Sequence, residues 1–236
     1  MAKRRKLNHN PDHGKGLLKR LADNSPTGPG EQPTLVHLMN FEVTWDVMPD
    51  PEVDALPEAT RDRMEQIFDL VHRDPKSVVQ ELRSMVALYP DVPCLTNWLI
   101  HVLREGSVDE CSEGLKLCTE LFRRMPEYFF ARTTLADMLL DLGKAEEAAE
   151  LLFEQSGVLS RLYPGRKIFH ISEIRHWCYL CARTKIFLGE PDAAKGYRNI
   201  LDQLEPDSPP IHHLDEMLEG EEAIITRLLA DFKKLS

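Results

Sequence analysis

The chain is poor in the residues that build sheets and tight loops. Glycine occurs only 12 times in 236 residues, and runs of β-branched residues are few, whereas leucine is abundant. No apolar run approaches the roughly 18 residues that a membrane-spanning helix needs. The basic N-terminus has no apolar segment behind it, so we expect neither a membrane protein nor a secretory signal. These features favour an all-α protein of one large or two small domains.

Cysteine is present in an odd number, which does not suit a disulfide framework. The cysteines lie inside helical patterns rather than in loops, and they are Cys94, Cys111, Cys118, Cys178 and Cys181. We therefore expect reduced, core-packed cysteines in a cytoplasmic protein. The sequence also lacks a glycine-rich phosphate loop, a nucleophile elbow and a His-Glu-x-x-His motif. We expect no catalytic residues, no metal site and no cofactor.

Charge divides the chain into two parts. Residues 1–20 carry seven Lys/Arg and one Asp, so the net charge of −10 leaves about −16 for the remainder. An acidic body argues against a nucleic-acid-binding surface there. Residues 1–34 are predicted to be a flexible basic arm. The run Lys3, Arg4, Arg5 and Lys6 is typical of a solvated terminus, with a nucleic-acid or nuclear-localisation patch as the alternative.

Residues 34–45 form the only strand-like stretch, because they mix β-branched and aromatic residues without a helical period. No partner strand is evident elsewhere in the chain. We therefore expect residues 35–56 to lie extended against the helices and to bury Leu38, Phe41 and Trp45. The alternative is strand addition to another protein or to a second copy.

The stretch 129–153 predicts two antiparallel helices. Leu135, Met138, Leu139 and Leu142 recur at helical spacing, and Gly143 then ends the helix. Small residues, Ala136 and Ala148, are expected where the two axes approach most closely. Similar amphipathic segments predict further helices at 58–73, 75–88, 95–105, 109–125, 172–188, 191–204 and 214–235, with the second helix of the 129–153 pair extending towards Tyr163-Pro164.

Prolines that end these units fall at 90, 126, 164 and 206, so the spacings of 36, 38 and 42 residues indicate a repeat. Leu135, Ala136, Gly143 and Ala148 match the pattern of a tetratricopeptide (TPR) repeat. The last copy matches it at Cys181, Ala182, Gly189, Ala194, Leu201 and Pro206. The copy at 95–126 fits with a longer turn, through Gly106, Gly114, Leu121 and Pro126, and the copy at 58–90 lacks the turn glycine. Residues 57–206 thus resemble the TPR family, most strongly at 129–153 and 175–206.

The resemblance implies a right-handed α-solenoid of about four helix pairs within residues 57–236, capped by the helix 214–235. In that family the first helix of each pair lines a concave groove that holds a peptide or partner protein. Transferred to this chain, the groove positions are Thr96, Ile100, Arg104, Phe130, Thr133, Asp137, Asp141, His176, Tyr179, Arg183 and Phe187. The lysine and asparagine with which chaperone-binding members hold a carboxylate are absent from these positions.

His176, Cys178 and Cys181 include the residue types of a zinc site. Cys181 occupies the repeat position of Leu135, so packing is the favoured interpretation. The sequence therefore predicts a non-enzymatic adaptor or scaffold that binds protein in its groove. The alternative is a homo-oligomer assembled through residues 34–57 or through the C-terminal helix.

Overall fold

The computed structural model of the chain describes residues 42–154 and 159–220. This part is predominantly α-helical, as predicted, with one short pair of strands. In chain order the elements are β1 (Glu42–Thr44), α1 (Pro51–Asp54), α2 (Glu58–Arg73), α3 (Pro75–Leu88), α4 (Pro93–Arg104), α5 (Val108–Arg124), α6 (Phe129–Asp141), α7 (Ala145–Ala149) continued by a π-helical turn (Glu150–Glu154), α8 (Leu159–Leu162), β2 (Ile168–His170), α9 (Ile171–Phe187) and α10 (Pro191–Leu204). Residues 209–220 are also helical.

Local sequence signals account for most helix ends. Proline occupies the first turn of α3, α4 and α10, where its missing N–H needs no partner. Ser107 and Glu110 form a capping box at the start of α5. Gly143 has φ +72° and follows α6, as predicted, and Gly189 has φ +74° after α9. A left-handed backbone suits glycine at both turns.

Consecutive helices pack against each other from α2 to α7 and again from α9 to α10. Alternate helices also meet, because α4 contacts both α2 and α6, and α6 contacts α9. Two apolar clusters result. The smaller is built by α2, α3 and α4, and the larger extends from α5 to Ile211 and Leu214 in the helical segment 209–220. Ala136 of α6 and Ala148 of α7 are both fully buried in the larger cluster, and these two helices contact each other.

The prediction that the strand-like stretch has no partner in this chain is wrong. Residues 42–44 form β1, which pairs in parallel with β2 so that Val43 lies opposite Phe169. β2 lacks any sequence signal of its own, because it is a three-residue stretch directly before a helix. The predicted burial of Trp45 is also wrong, since this residue is 39% exposed. Leu38 and Phe41 lie outside the described residues.

Residues 42–57 run from the larger apolar cluster to the smaller one. Val43 packs against the larger cluster, whereas Val53 and Leu56 pack against the smaller. The segment is not wholly extended, because it contains the short helix α1, whose first turn is capped by Asp50. It therefore connects the two apolar clusters directly.

The C-terminal part differs in its boundaries from the prediction. Helical residues begin at 209, five residues before the predicted start at Leu214, and residues 221–236 lie outside the described part. The predicted basic arm, residues 1–34, lies outside it as well. Within the described residues no helix has the length and apolarity that a membrane crossing would require.

Candidate interaction face

Four of the predicted groove residues meet in one ion-pair network. Arg104 at the end of α4 donates to Asp137 at 2.8 Å and to Asp141 at 2.6 Å, both on α6. Arg183 of α9 also donates to both carboxylates, to Asp137 and, at 3.1 Å, to Asp141. We call Arg104, Asp137, Asp141 and Arg183 the Arg–Asp cluster. It joins three helices that belong to three different predicted repeats.

Helical spacing explains why two acids serve two arginines. Asp137 and Asp141 are four residues apart, so they lie one above the other on the same side of α6. Asp137 and Arg183 are each only 9% exposed. Burial alone would raise the pKa of Asp137, but the charges of Arg104 and Arg183 outweigh it and hold that pKa below its ordinary value. The carboxylate is thus ionised, and the cluster is neutral as a whole.

Two histidines border the cluster in their neutral form. Burial, with the nearby charges of Arg104 and the other histidine, lowers the pKa of His101 to about 4. Burial also lowers the pKa of His176 to about 4, although the charge of Asp137 acts in the opposite direction. The Nε2 atom of His176 is buried and has no hydrogen-bond partner among the described residues. Its ring lies 6.2 Å from the ring of Phe130.

Tyr179 lies between the Arg–Asp cluster and the helical segment 209–220. Its hydroxyl lies 2.5 Å from Nδ1 of His213, and the two rings are 5.8 Å apart. The guanidinium of Arg183 lies over the Tyr179 ring, 5.6 Å from its centroid. Tyr179 is therefore half-buried and held from two sides, whereas Phe187, two turns further along α9, is 49% exposed.

Some predicted groove residues are buried and contribute no exposed surface beside the Arg–Asp cluster. Thr133 is fully buried and its hydroxyl donates to the carbonyl of Phe129 in its own helix. Thr96 is 5% exposed, and Ile100 is fully buried in the apolar core. Their assignment to the groove surface is therefore wrong. On α4 the neighbouring Asn97 meets α6 in place of Thr96, because its side-chain oxygen accepts a hydrogen bond from Thr134.

The polar residues that α4 does present to its neighbour were missed. Thr134 of α6 donates to the side-chain oxygen of Asn97 at 2.9 Å, and both residues are buried. Asn97, His101 and Arg104 follow each other at spacings of four and three on an otherwise apolar helix. This polar stripe is a signal from which the correct phase could have been predicted.

At the other end of the array α2 and α4 present an aromatic patch. The rings of Phe68 and Trp98 lie 5.5 Å apart, and His72 meets Phe68 edge-on at 5.0 Å. Phe68 is 47% exposed. We call Phe68, His72 and Trp98 the aromatic patch.

The structure bears on the zinc interpretation as well. Among the described residues no group of three or more His, Cys, Asp or Glu side chains is arranged to hold a metal ion. Cys178 and Cys181 are both buried and free of disulfides. Burial raises the pKa of Cys178 to about 12. Both side chains lie in the larger apolar cluster, as the packing interpretation predicts.

Comparison of the chain with models of protein families, with curated proteins and with solved structures found no match. The interpretation of the site therefore depends on the geometry and on the sequence pattern.

Proposed function

We propose that the chain is a non-enzymatic protein-interaction module, a TPR-like right-handed α-solenoid of about four helix pairs that binds a peptide or partner protein along its first helices. These first helices are α2, α4, α6 and α9. The main support is that groove residues predicted on three of them, Arg104, Asp137, Asp141, Tyr179 and Arg183, adjoin one another. The contacts between α2 and α4, α4 and α6, and α6 and α9 are those expected of stacked repeats.

Within this face the residues divide into two kinds. The Arg–Asp cluster neutralises itself, and its most buried members, Asp137 and Arg183, hold helices together. Tyr179, Phe187 and the half-exposed carboxylate of Asp141 remain accessible to a partner. A variant of Arg183 is therefore a poor test of binding, because its loss would remove support from buried Asp137.

The proposal is tested by immobilising the full chain and capturing proteins from a native lysate. The variant Tyr179→Ala/Phe187→Ala removes accessible rings from α9. The matched control is Leu88→Ala/Val108→Ala, which removes two exposed apolar side chains at helix ends outside this face. A protein retained by the wild type and the control, but lost with the α9 variant, would support the proposal. Retention of the same proteins by all three chains would refute the assignment of the face.

The alternative of a homo-oligomer built through residues 34–57 has less support. One edge of β1 is already used by β2 of the same chain. The mass of the full chain in solution decides between the two, since a monomer at micromolar concentration excludes the oligomer as the functional form.

A further inference from the structure

The α2 end of the array has exposed charge as well as exposed apolar surface. Four acids on α2 follow one another at spacings of four, three and four residues, and all four are exposed: Glu58, Asp62, Glu65 and Asp69. They lie on one side of the helix. None of their carboxylates forms an ion pair or hydrogen bond with any residue in the described ranges 42–154 and 159–220. We call these four residues the acidic row.

The acidic row is not explained by the stability of α2. Only Glu58 lies in the first turn, where a negative charge is favoured by the helix dipole. Within the row each carboxylate repels the next one along the helix, since like charges three or four residues apart weaken a helix. A paired acid on the neighbouring helix is Glu81, whose carboxylate lies 2.6 Å from the guanidinium of Arg63.

The acidic row borders the aromatic patch. Glu65 lies one turn before Phe68 on the same helix, and Asp69 follows Phe68 directly. Phe68 and Trp98 offer ring faces on which the methylene stem or the charge of a lysine or arginine side chain can lie. The neighbouring carboxylates supply its counter-charge.

We propose that the acidic row and the aromatic patch form a docking surface for a basic segment of a partner protein, one in which Lys or Arg alternates with apolar residues. The aromatic patch takes the apolar side chains, and the acidic row takes the cations. The charge of about −16 outside residues 1–20 assists the encounter with such a segment and repels an acidic one. The inference rests on the proposed function only in placing a peptide along the first helices.

The test uses the full chain and two fluorescent peptides, one of Lys, Leu and Gly, the other identical except that Glu replaces Lys. Binding is followed by fluorescence anisotropy at low and at high salt. The Lys peptide should bind, and its affinity should fall with salt, whereas the Glu peptide should not bind. The variant Glu65→Lys/Asp69→Lys should weaken binding of the Lys peptide by about tenfold, since each reversed charge replaces an attraction by a repulsion.

A matched control separates this surface from net charge. Glu146→Lys/Glu150→Lys changes the total charge equally, at two exposed acids that are also four residues apart. Phe68→Ala is compared in the same way with Leu88→Ala. The proposal requires that the α2 variants lose affinity and that both controls keep it. An equal loss in the Glu146/Glu150 control would reduce the effect to net charge and overturn the proposal.

Two further results would assign the surface to another occupant and refute the proposal. Binding of the Lys peptide only after removal of residues 1–20 would assign the surface to that basic part of the same chain. A solution mass that falls from dimer to monomer in Glu65→Lys/Asp69→Lys would assign it to a second copy. The variant Tyr179→Ala/Phe187→Ala lies on α9, so its result bears on the proposed function and not on this surface.

Discussion

Charged side chains are paired and buried in the middle of the helical array, whereas those of the acidic row at its α2 end are exposed and unpaired within the part that the structure describes. At the Arg–Asp cluster the side chains of Arg104, Asp137 and Arg183 are largely buried, and each carboxylate accepts from two arginines. On α2 the acidic row is exposed, and its carboxylates lack partners among the described residues. Both sets lie on helices that are first in their predicted pairs, so the repeat position alone does not decide their role.

Burial decides it. A buried charge must be paired, because its desolvation is not otherwise compensated, and its removal then leaves its partner unsatisfied. An exposed charge is solvated by water and can exchange that water for a ligand at little cost. The middle of the array is therefore expected to govern stability, and the α2 end is expected to govern recognition.

The largest effect is expected from Asp137→Ala. This change leaves the buried guanidinium of Arg183 with only the half-exposed Asp141, and Arg104 loses one of its two acceptors. Removal of one partner from a buried ion pair destabilises by about 3–5 kcal/mol. Urea unfolding followed by circular dichroism measures the change.

Asp62→Ala is the control for this variant, because it removes an aspartate from the exposed acidic row. Its free energy of unfolding should stay within about 0.5 kcal/mol of the wild type. Equal losses in both variants would mean that the two regions do not differ as described.

Acid should weaken the middle of the array next. In the unfolded chain His101 and His176 have the ordinary pKa of 6.5, and in the folded chain about 4. As the pH falls below 6.5, the unfolded chain binds protons first. As far as these two groups are concerned, the free energy of unfolding is therefore highest above pH 6.5 and declines as the pH falls towards 4. Urea unfolding at several pH values between 7 and 4.5 measures this slope.

The double variant His101→Gln/His176→Gln separates these histidines from all other groups. It should unfold at a urea midpoint that varies less with pH over the same range, because glutamine does not titrate. A wild-type slope in the double variant would contradict the assignment.

Much of the helical fold could be predicted from local signals. The bounds of α2 and α10 agree with the prediction, because Pro57, Pro191 and the terminating Pro206 mark them directly. Gly143 and Gly189 marked the turns after α6 and α9. The pairing of β1 with β2 could not be predicted, because it joins residues more than a hundred positions apart and β2 has no sequence pattern of its own.

The candidate site was predictable only in part. Asp137, Asp141 and Arg183 lie at positions that the repeat pattern assigns to the groove. Thr96, Ile100 and Thr133 were assigned by the same pattern but are buried, because the pattern does not contain how closely neighbouring helices cover each position. The partner of each charge, and thus the self-neutralising cluster, depends on distances between helices, which periodicity within one helix does not contain.

A smaller loss of stability is expected from replacing Arg104 by lysine, which keeps the charge but changes the geometry of the side chain. Arg104 reaches two carboxylates with its two terminal nitrogens, which a single lysine ammonium cannot match. Arg104→Lys should therefore lower the free energy of unfolding by about 1.5–3 kcal/mol, the range of one hydrogen bond to a charged group. Arg63→Lys, in the exposed pair with Glu81, should leave it nearly unchanged. Equal losses in the two variants would show that the geometry of Arg104 has no special role.

The smallest change in stability, and of opposite sign, is expected from Asp62→Lys. The new lysine would follow Glu58 by four residues and precede Glu65 by three, so two repulsive pairs become attractive. Each such pair stabilises a helix by about 0.2–0.5 kcal/mol, so the variant should be slightly more stable than the wild type in urea. The same variant should bind the Lys peptide less tightly. Gain of stability together with loss of binding would indicate that the acidic row serves recognition at the expense of α2. A more stable variant that binds the Lys peptide with full affinity would show that the acidic row does not serve recognition.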